Sequence, residues 1–204
     1  AFHQLCVNDQ RCYRPRLPKH GLYAIKGIAP ERAQHDFCSG DREFYVEPGQ
    51  VLNWENLDDV EIVALTAWVE SRLPVESVDE QSGLVKTRLR SALTLANGAP
   101  FYVENVFSAL DAPGLWYHQR KAGKIYYLPL PGERLDTADI VVPRLPSVLV
   151  ANGNPSAMKY VEHIHFCGLC VAHTEWQRSD KTATMRFEVH DDAKSRQVNV
   201  TQAA

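Results

Sequence analysis

The stretch "VEIVALTAWVE" at 60–70 restricts this chain more than any other. It is apolar on both faces and has no helical period, so it reads as a strand buried on two sides. The next segment, "LPVESVDEQSGLVKTRL", reads as two strands around a turn containing Gly83. The same character runs through the chain. "FHQLCVNDQRCYRPR" is strand, Asn-Asp turn, strand, and "REFYV" is a strand closed by the turn "EPGQ". In "GLWYHQRKAGKIYYLPLPGE", "QRKAG" separates two aromatic-rich strands, while "ADIVVPRL" and "SVLVANG" are short strands. One segment departs from this pattern. Val103, Val106, Phe107 and Leu110 recur at helical spacing, which predicts one short helix near 101–110, stopped by Pro113-Gly114. A parallel α/β fold needs alternating helices, and the chain does not supply them. The fold class is mostly β.

The bulk numbers narrow the functional classes. With 204 residues, 45% of them hydrophobic, the chain can build one large core or two small ones. Twenty-two basic residues face 25 acidic ones, a net charge of −3, so no basic surface calls for nucleic acid. No apolar run reaches the roughly 18–20 residues that span a bilayer. The first residues, "AFHQLCVNDQ", are neither a signal peptide nor a start methionine, and the expectation is a chain processed or cut from something longer. Asn199-Val200-Thr201 fits a glycosylation sequon, a short motif that often arises by chance. Five cysteines, at 6, 12, 38, 167 and 170, leave an odd thiol and do not fix the compartment.

Four places hold candidate chemistry. "CGLC" at 167–170 lies among His163, His165 and His173, a set of types that suits zinc. Within an apolar alternating strand, however, residues three apart point to opposite faces, and only a turn at Gly168 brings the thiols together. No helix follows to activate them as a redox pair. The favoured reading is a structural strand, with metal and disulfide readings behind it and no metal or cofactor assigned. "HTEW" presents His173, Glu175 and Trp176 at the end of that strand. An indole face suits a sugar ring, and carboxylates hold hydroxyls. "AWVESR" places Trp68, Glu70 and Arg72 on one strand face by period two. Glu70–Arg72 also reads as a plain ion pair, and Trp68 as core. Glu104-Asn105 in "YVEN" falls on the predicted helix, with Glu104 outward or capping a neighbour. Asp58-Asp59 and Glu175 are further carboxylates for acid/base work, but spacing alone selects no pair.

Several quoted segments occur in an order that resembles one family. They are "RPRLPKHGLYAIKGI", "FYVEPGQVLNWENLDDVEIVALTAWVESRLPVESVDEQSGLV", "FYVENVFSALDAPGLWYHQRKAGKIYYLPLPGE" and "VEHIHFCGLCVAHTEW". Together, over roughly Phe2 to Trp176, they resemble the N-terminal part of right-handed parallel β-helix repeat proteins. Many of these are classed as glycoside hydrolases of fucosidase or xylanase type. The resemblance implies a secreted, extracellular or periplasmic protein directed at a polysaccharide or oligosaccharide. It also implies a β-sandwich-like domain inserted after the first turn of the β-helix, with catalytic carboxylates on later coils.

The resulting map is an N-terminal β segment at 1–30, a β-sandwich-like insert at 31–142, first β-helix coils at 143–176 and a divergent polar tail at 177–204. One or two coils are fewer than the roughly three a solenoid needs to bury its faces. The expectation is therefore an N-terminal portion that does not hydrolyse alone and can self-associate through an open β-helix end. The substrate-binding candidates are Trp68, Glu70, Arg72, Glu104, His173, Glu175 and Trp176, and the catalytic residues are not assigned. The rival readings are a non-catalytic carbohydrate-binding or adhesion module, and a small zinc-binding β protein using 163–173.

Overall fold

The structure is a computed structural model that describes residues 2–28, 37, 39–175, 189–192 and 195–198. The described chain divides into two compact units. One is built on Cys12–Ala138, and the other on residues 2–11 and 139–175 together with strands at 189–198.

The larger unit holds the main sheet. Its strands are β3 (Arg16–Leu17), β4 (Tyr23–Ala24), β5 (Gly27–Ile28), β6 (Glu43–Tyr45), β7 (Glu61–Thr66), β8 (Val69–Asp79), β9 (Leu84–Thr87) and β10 (Pro100–Glu104). They hydrogen-bond in the order β3-β10-β7-β8-β9-β6-β5, with β4 also on β10, and every pair is antiparallel. β7 is buried along nearly its whole length, as the double-faced apolar run requires. A register shift in β8 between Val75 and Ser77 bends the sheet. The two halves then close on each other, and Phe44 in β6 meets Phe101 in β10 edge-on at 6.4 Å.

Alternation sorts the side chains. Phe101 and Val103 of β10 stand opposite Ala64 and Ile62 of β7, and Ile62 stands opposite Leu73 of β8. These residues line the core together with Phe44, Val46, Val75 and Val85. The other face carries Tyr102 and Glu104, then Val63 and Glu61, then Arg72 and Glu70. β11 (Trp116–Gln119) and β12 (Lys124–Tyr127) form a separate hairpin.

The expected turns are present. Gly49 and Gly83 have positive φ in the "EPGQ" turn and the β8–β9 turn, and a Cβ at Gly83 would stand 2.2 Å from the Val46 carbonyl oxygen. The helix predicted near 101–110 is not formed. Its first half is strand β10, which Asn105 ends in the left-handed region at φ 65, and a single 3-10 turn, Phe107–Ala109, follows. Of the residues that imitate a helical stripe only Val103 lies in β10, which β7 and β3 pair on both sides, while Val106, Phe107 and Leu110 lie in and around the 3-10 turn.

In the smaller unit, β1 (Cys6–Val7) pairs with β2 (Gln10–Arg11) through the Asn8-Asp9 turn and with β13 (Ile140–Val141) on its other edge. β14 (Val189–Asp192) and β15 (Ser195–Val198) make a second hairpin. "SVLVANG" and "VEHIHFCGLCVAHT", expected as strands, carry no ladder strand. The parallel β-helix is thus not seen among the described residues. A rung bonds only to a rung stacked beside it, and here Val161, Ile164, Phe166, Leu169 and Val171 are exposed. Of the divergent polar tail at 177–204, only 189–192 and 195–198 are among the described residues.

Candidate functional site

The outer face of β8, β7 and β10 gathers most of the polar candidates. Glu61 and Glu104 lie directly opposite each other across β7 and β10. Like charges in that position repel unless a cation sits between them. Arg14 supplies it, with Nη2 donating to Glu61 Oε2 at 2.7 Å and also to Glu104 Oε2. Arg72, on β8, donates from Nη1 to Glu104 Oε2 at 2.6 Å and from Nε to Glu70 Oε1 at 2.6 Å. Val63 is fully buried, and its cross-strand neighbours on this face are Tyr102 and Arg72. Arg16 completes the face, its guanidinium 4.4 Å above the Tyr102 ring.

The electrostatics of this face follow from its pairing. Burial pushes the Glu104 carboxyl up, but Arg14 and Arg72 more than offset it and hold its pKa below the ordinary value. Burial works against the Arg14 charge, and Glu104 and Glu61 overcome it, so that guanidinium is held charged. Arg72 is held likewise by Glu104 and Glu70. The Tyr102 hydroxyl is pushed up to about 12, by burial first and then by Glu104, so it stays a neutral hydroxyl. Such a group positions and binds. Glu104 is an ionised acceptor, whereas a glycosidic general acid needs a raised pKa.

Glu70 and Arg72 share a strand face and an ion pair, and Glu104, expected separately on a helix, meets Arg72 from a strand. Trp68 does not join them. It lies in the two-residue turn between β7 and β8, 77% exposed, and is neither core nor on the strand face. Arg14, Arg16, Glu61 and Tyr102 were not singled out by sequence. Glu61 was readable from the alternation of β7, but its pairing with Glu104 depends on register.

A second polar group surrounds Asp59. Its carboxylate accepts from the Tyr117 hydroxyl at 3.1 Å and from Arg120 Nε, while its backbone oxygen accepts from Asn105 Nδ2 at 2.8 Å. Burial and the Asp59 charge push the Tyr117 hydroxyl above the ordinary phenol range. Asp58 faces outward to Arg88 at 2.5 Å and Lys121 at 2.8 Å. Adjacent carboxylates thus point different ways and do not form an acid/base pair.

In the smaller unit, Glu175 is buried, and its Oε1 accepts the His3 backbone N–H at 2.9 Å and lies 3.0 Å from His3 Nδ1. Among the described residues, Glu175 Oε2 is buried and has no hydrogen-bond partner. His173 Nε2 lies 3.0 Å from Asp9 Oδ1. Trp176 lies outside the described residues. Cys167 and Cys170 are exposed free thiols on either side of Gly168, whose φ is 66°. The chain turns there instead of running as the expected strand. Among the described residues no three His, Cys, Asp or Glu side chains converge as a metal site.

The fold is similar to that of a glycoside hydrolase. That solved structure superposes with a TM-score of 0.69 at 23% sequence identity, and the match covers 86% of this chain and 32% of that one. This chain thus spans about a third of the hydrolase it matches. No family model and no curated protein matches the sequence.

Proposed function

We propose that this chain belongs to a polysaccharide-directed protein of glycoside hydrolase type, working outside the cytoplasm, and that residues 2–175 supply its N-terminal β scaffold. The observation that carries this reading is the shared fold over 86% of the chain. The order of the sequence segments that resemble the β-helix hydrolases supports the finer class, with an insert domain followed by the first coils of a parallel β-helix.

The acid/base carboxylates of the reading lie beyond these residues. Pairing sets the carboxylates of Glu61 and Glu104 opposite each other, and guanidinium groups bind both. Glu104 is held ionised, which suits binding and not proton donation. The test is to incubate the purified chain with aryl-glycosides and soluble polysaccharides, following both retention and release of reducing ends. Retention without turnover is expected. Turnover by this chain, lost in Glu104→Gln or Glu61→Gln, would overturn the placement of catalysis elsewhere.

A further inference from the structure

Trp68, in the turn between β7 and β8, meets Phe37 in an exposed aromatic pair. Trp68 is 77% exposed and Phe37 is 50% exposed, with ring centroids 6.2 Å apart and planes tilted by 50°. The larger unit buries Trp116, Tyr117, Phe44 and Phe101, whereas Tyr13 and Phe107 share the exposure of Trp68 and Phe37. An indole left in water forfeits the largest apolar burial any side chain offers. The turn holding it out is also strained. Ala67 has φ 47, the left-handed region that two-residue hairpin turns normally fill with glycine or asparagine. Phe37 is held in place through its backbone, whose oxygen accepts the Thr94 N–H at 2.8 Å. Two anchored, exposed rings at an angle make an open apolar corner.

We infer that this corner binds one pyranose ring of a neutral polysaccharide; the inference rests on the carbohydrate-directed reading above. The C–H face of the sugar lies on the Trp68 indole, and Phe37 forms the side wall. Glu70, two residues along the chain, is partly exposed and gives only Oε1 to Arg72. As a carboxylate it accepts and does not donate, so it suits the O–H donors of sugar hydroxyls. The same charge repels a uronate, which selects neutral sugars over acidic ones.

The test uses the full chain in affinity gels with soluble arabinoxylan, mixed-linkage β-glucan and polygalacturonate, alongside acrylamide quenching of tryptophan fluorescence. Retardation by a neutral polysaccharide is expected, with its addition protecting fluorescence from quenching. Trp68→Ala should raise Kd at least tenfold with an unchanged melting temperature, Phe37→Ala should raise it less, and polygalacturonate should not bind. Neutral binding that is unchanged in both variants overturns the platform and leaves the carbohydrate reading standing. Preference for polygalacturonate overturns the assignment to neutral sugars. Binding to no polysaccharide overturns the platform and the carbohydrate reading together. Should Trp68→Ala fail to fold, the quenching of the unaltered chain decides: no protection by a bound polysaccharide overturns the platform.

Discussion

Glu104→Gln tests the charge network most directly. The wild-type carboxylate serves two guanidiniums at once, Arg14 and Arg72, and all three side chains are largely buried. The amide keeps the shape and one acceptor but removes the charge. The two buried cations then keep Glu61 and Glu70 but lose the charge they share. Removing one partner from a buried ion pair costs about 3–5 kcal/mol, and the retained acceptor places this substitution near the lower end, about 3 kcal/mol. For a chain of this size each kcal/mol moves Tm by about 2–4 °C, so a fall of roughly 6–12 °C is expected in a thermal melt followed by near-UV circular dichroism. The acid limb gives an independent reading. Glu104 has its folded pKa below its unfolded value, which is ordinarily about 4.3. Its contribution is therefore fully present above that value and is lost as pH falls through the folded pKa. Wild-type stability should drop more steeply below about pH 4.3 than that of Glu104→Gln. A double-mutant cycle with Arg72→Met should return a coupling of about 0.5–3 kcal/mol. A Glu104→Gln variant within about 0.5 kcal/mol of wild type, the range of ordinary surface changes, would refute the argument.

Phe101→Ala removes a fully buried ring that touches both Phe44 and Tyr23, and should cost about 3–5 kcal/mol in urea unfolding. Gly83→Ala and Gly98→Ala share positive φ, but only the first drives a Cβ onto the Val46 carbonyl, whereas the second meets open space. Gly98→Ala should therefore cost only about 1–2 kcal/mol of backbone strain, and Gly83→Ala clearly more, as compared by their urea midpoints. In a Cys38→Ser background, Cys167 and Cys170 should react quickly with a thiol reagent in the native state. Cys6 and Cys12 are buried, and burial pushes the Cys6 thiol up, so both should react only on unfolding. Native-rate labelling of all four would contradict the described burial.

Several elements were legible in one dimension because their signals are local. The double-faced run of β7, the Gly49 and Gly83 turns and the Asn8-Asp9 hairpin turn each depend on a few neighbouring residues, and each formed as read. The segment at 101–110 was not legible, because Val103, Val106, Phe107 and Leu110 fit a helical stripe as well as the strand and turn that formed. Pairing with β7 and β3 decided between them. The candidate site divides the same way. Sequence could name Glu70, Arg72 and Glu104, since they are chemically distinctive. It could not supply Arg14, which lies 47 residues from Glu61 and 90 from Glu104 and meets both only once register sets those carboxylates opposite each other. Nor could it place Trp68, because one residue of register separates a strand face from the tip of a turn. Local backbone preference is written in the order of residues. Register, burial and charge compensation depend on which distant segments meet, and the tertiary structure decided those.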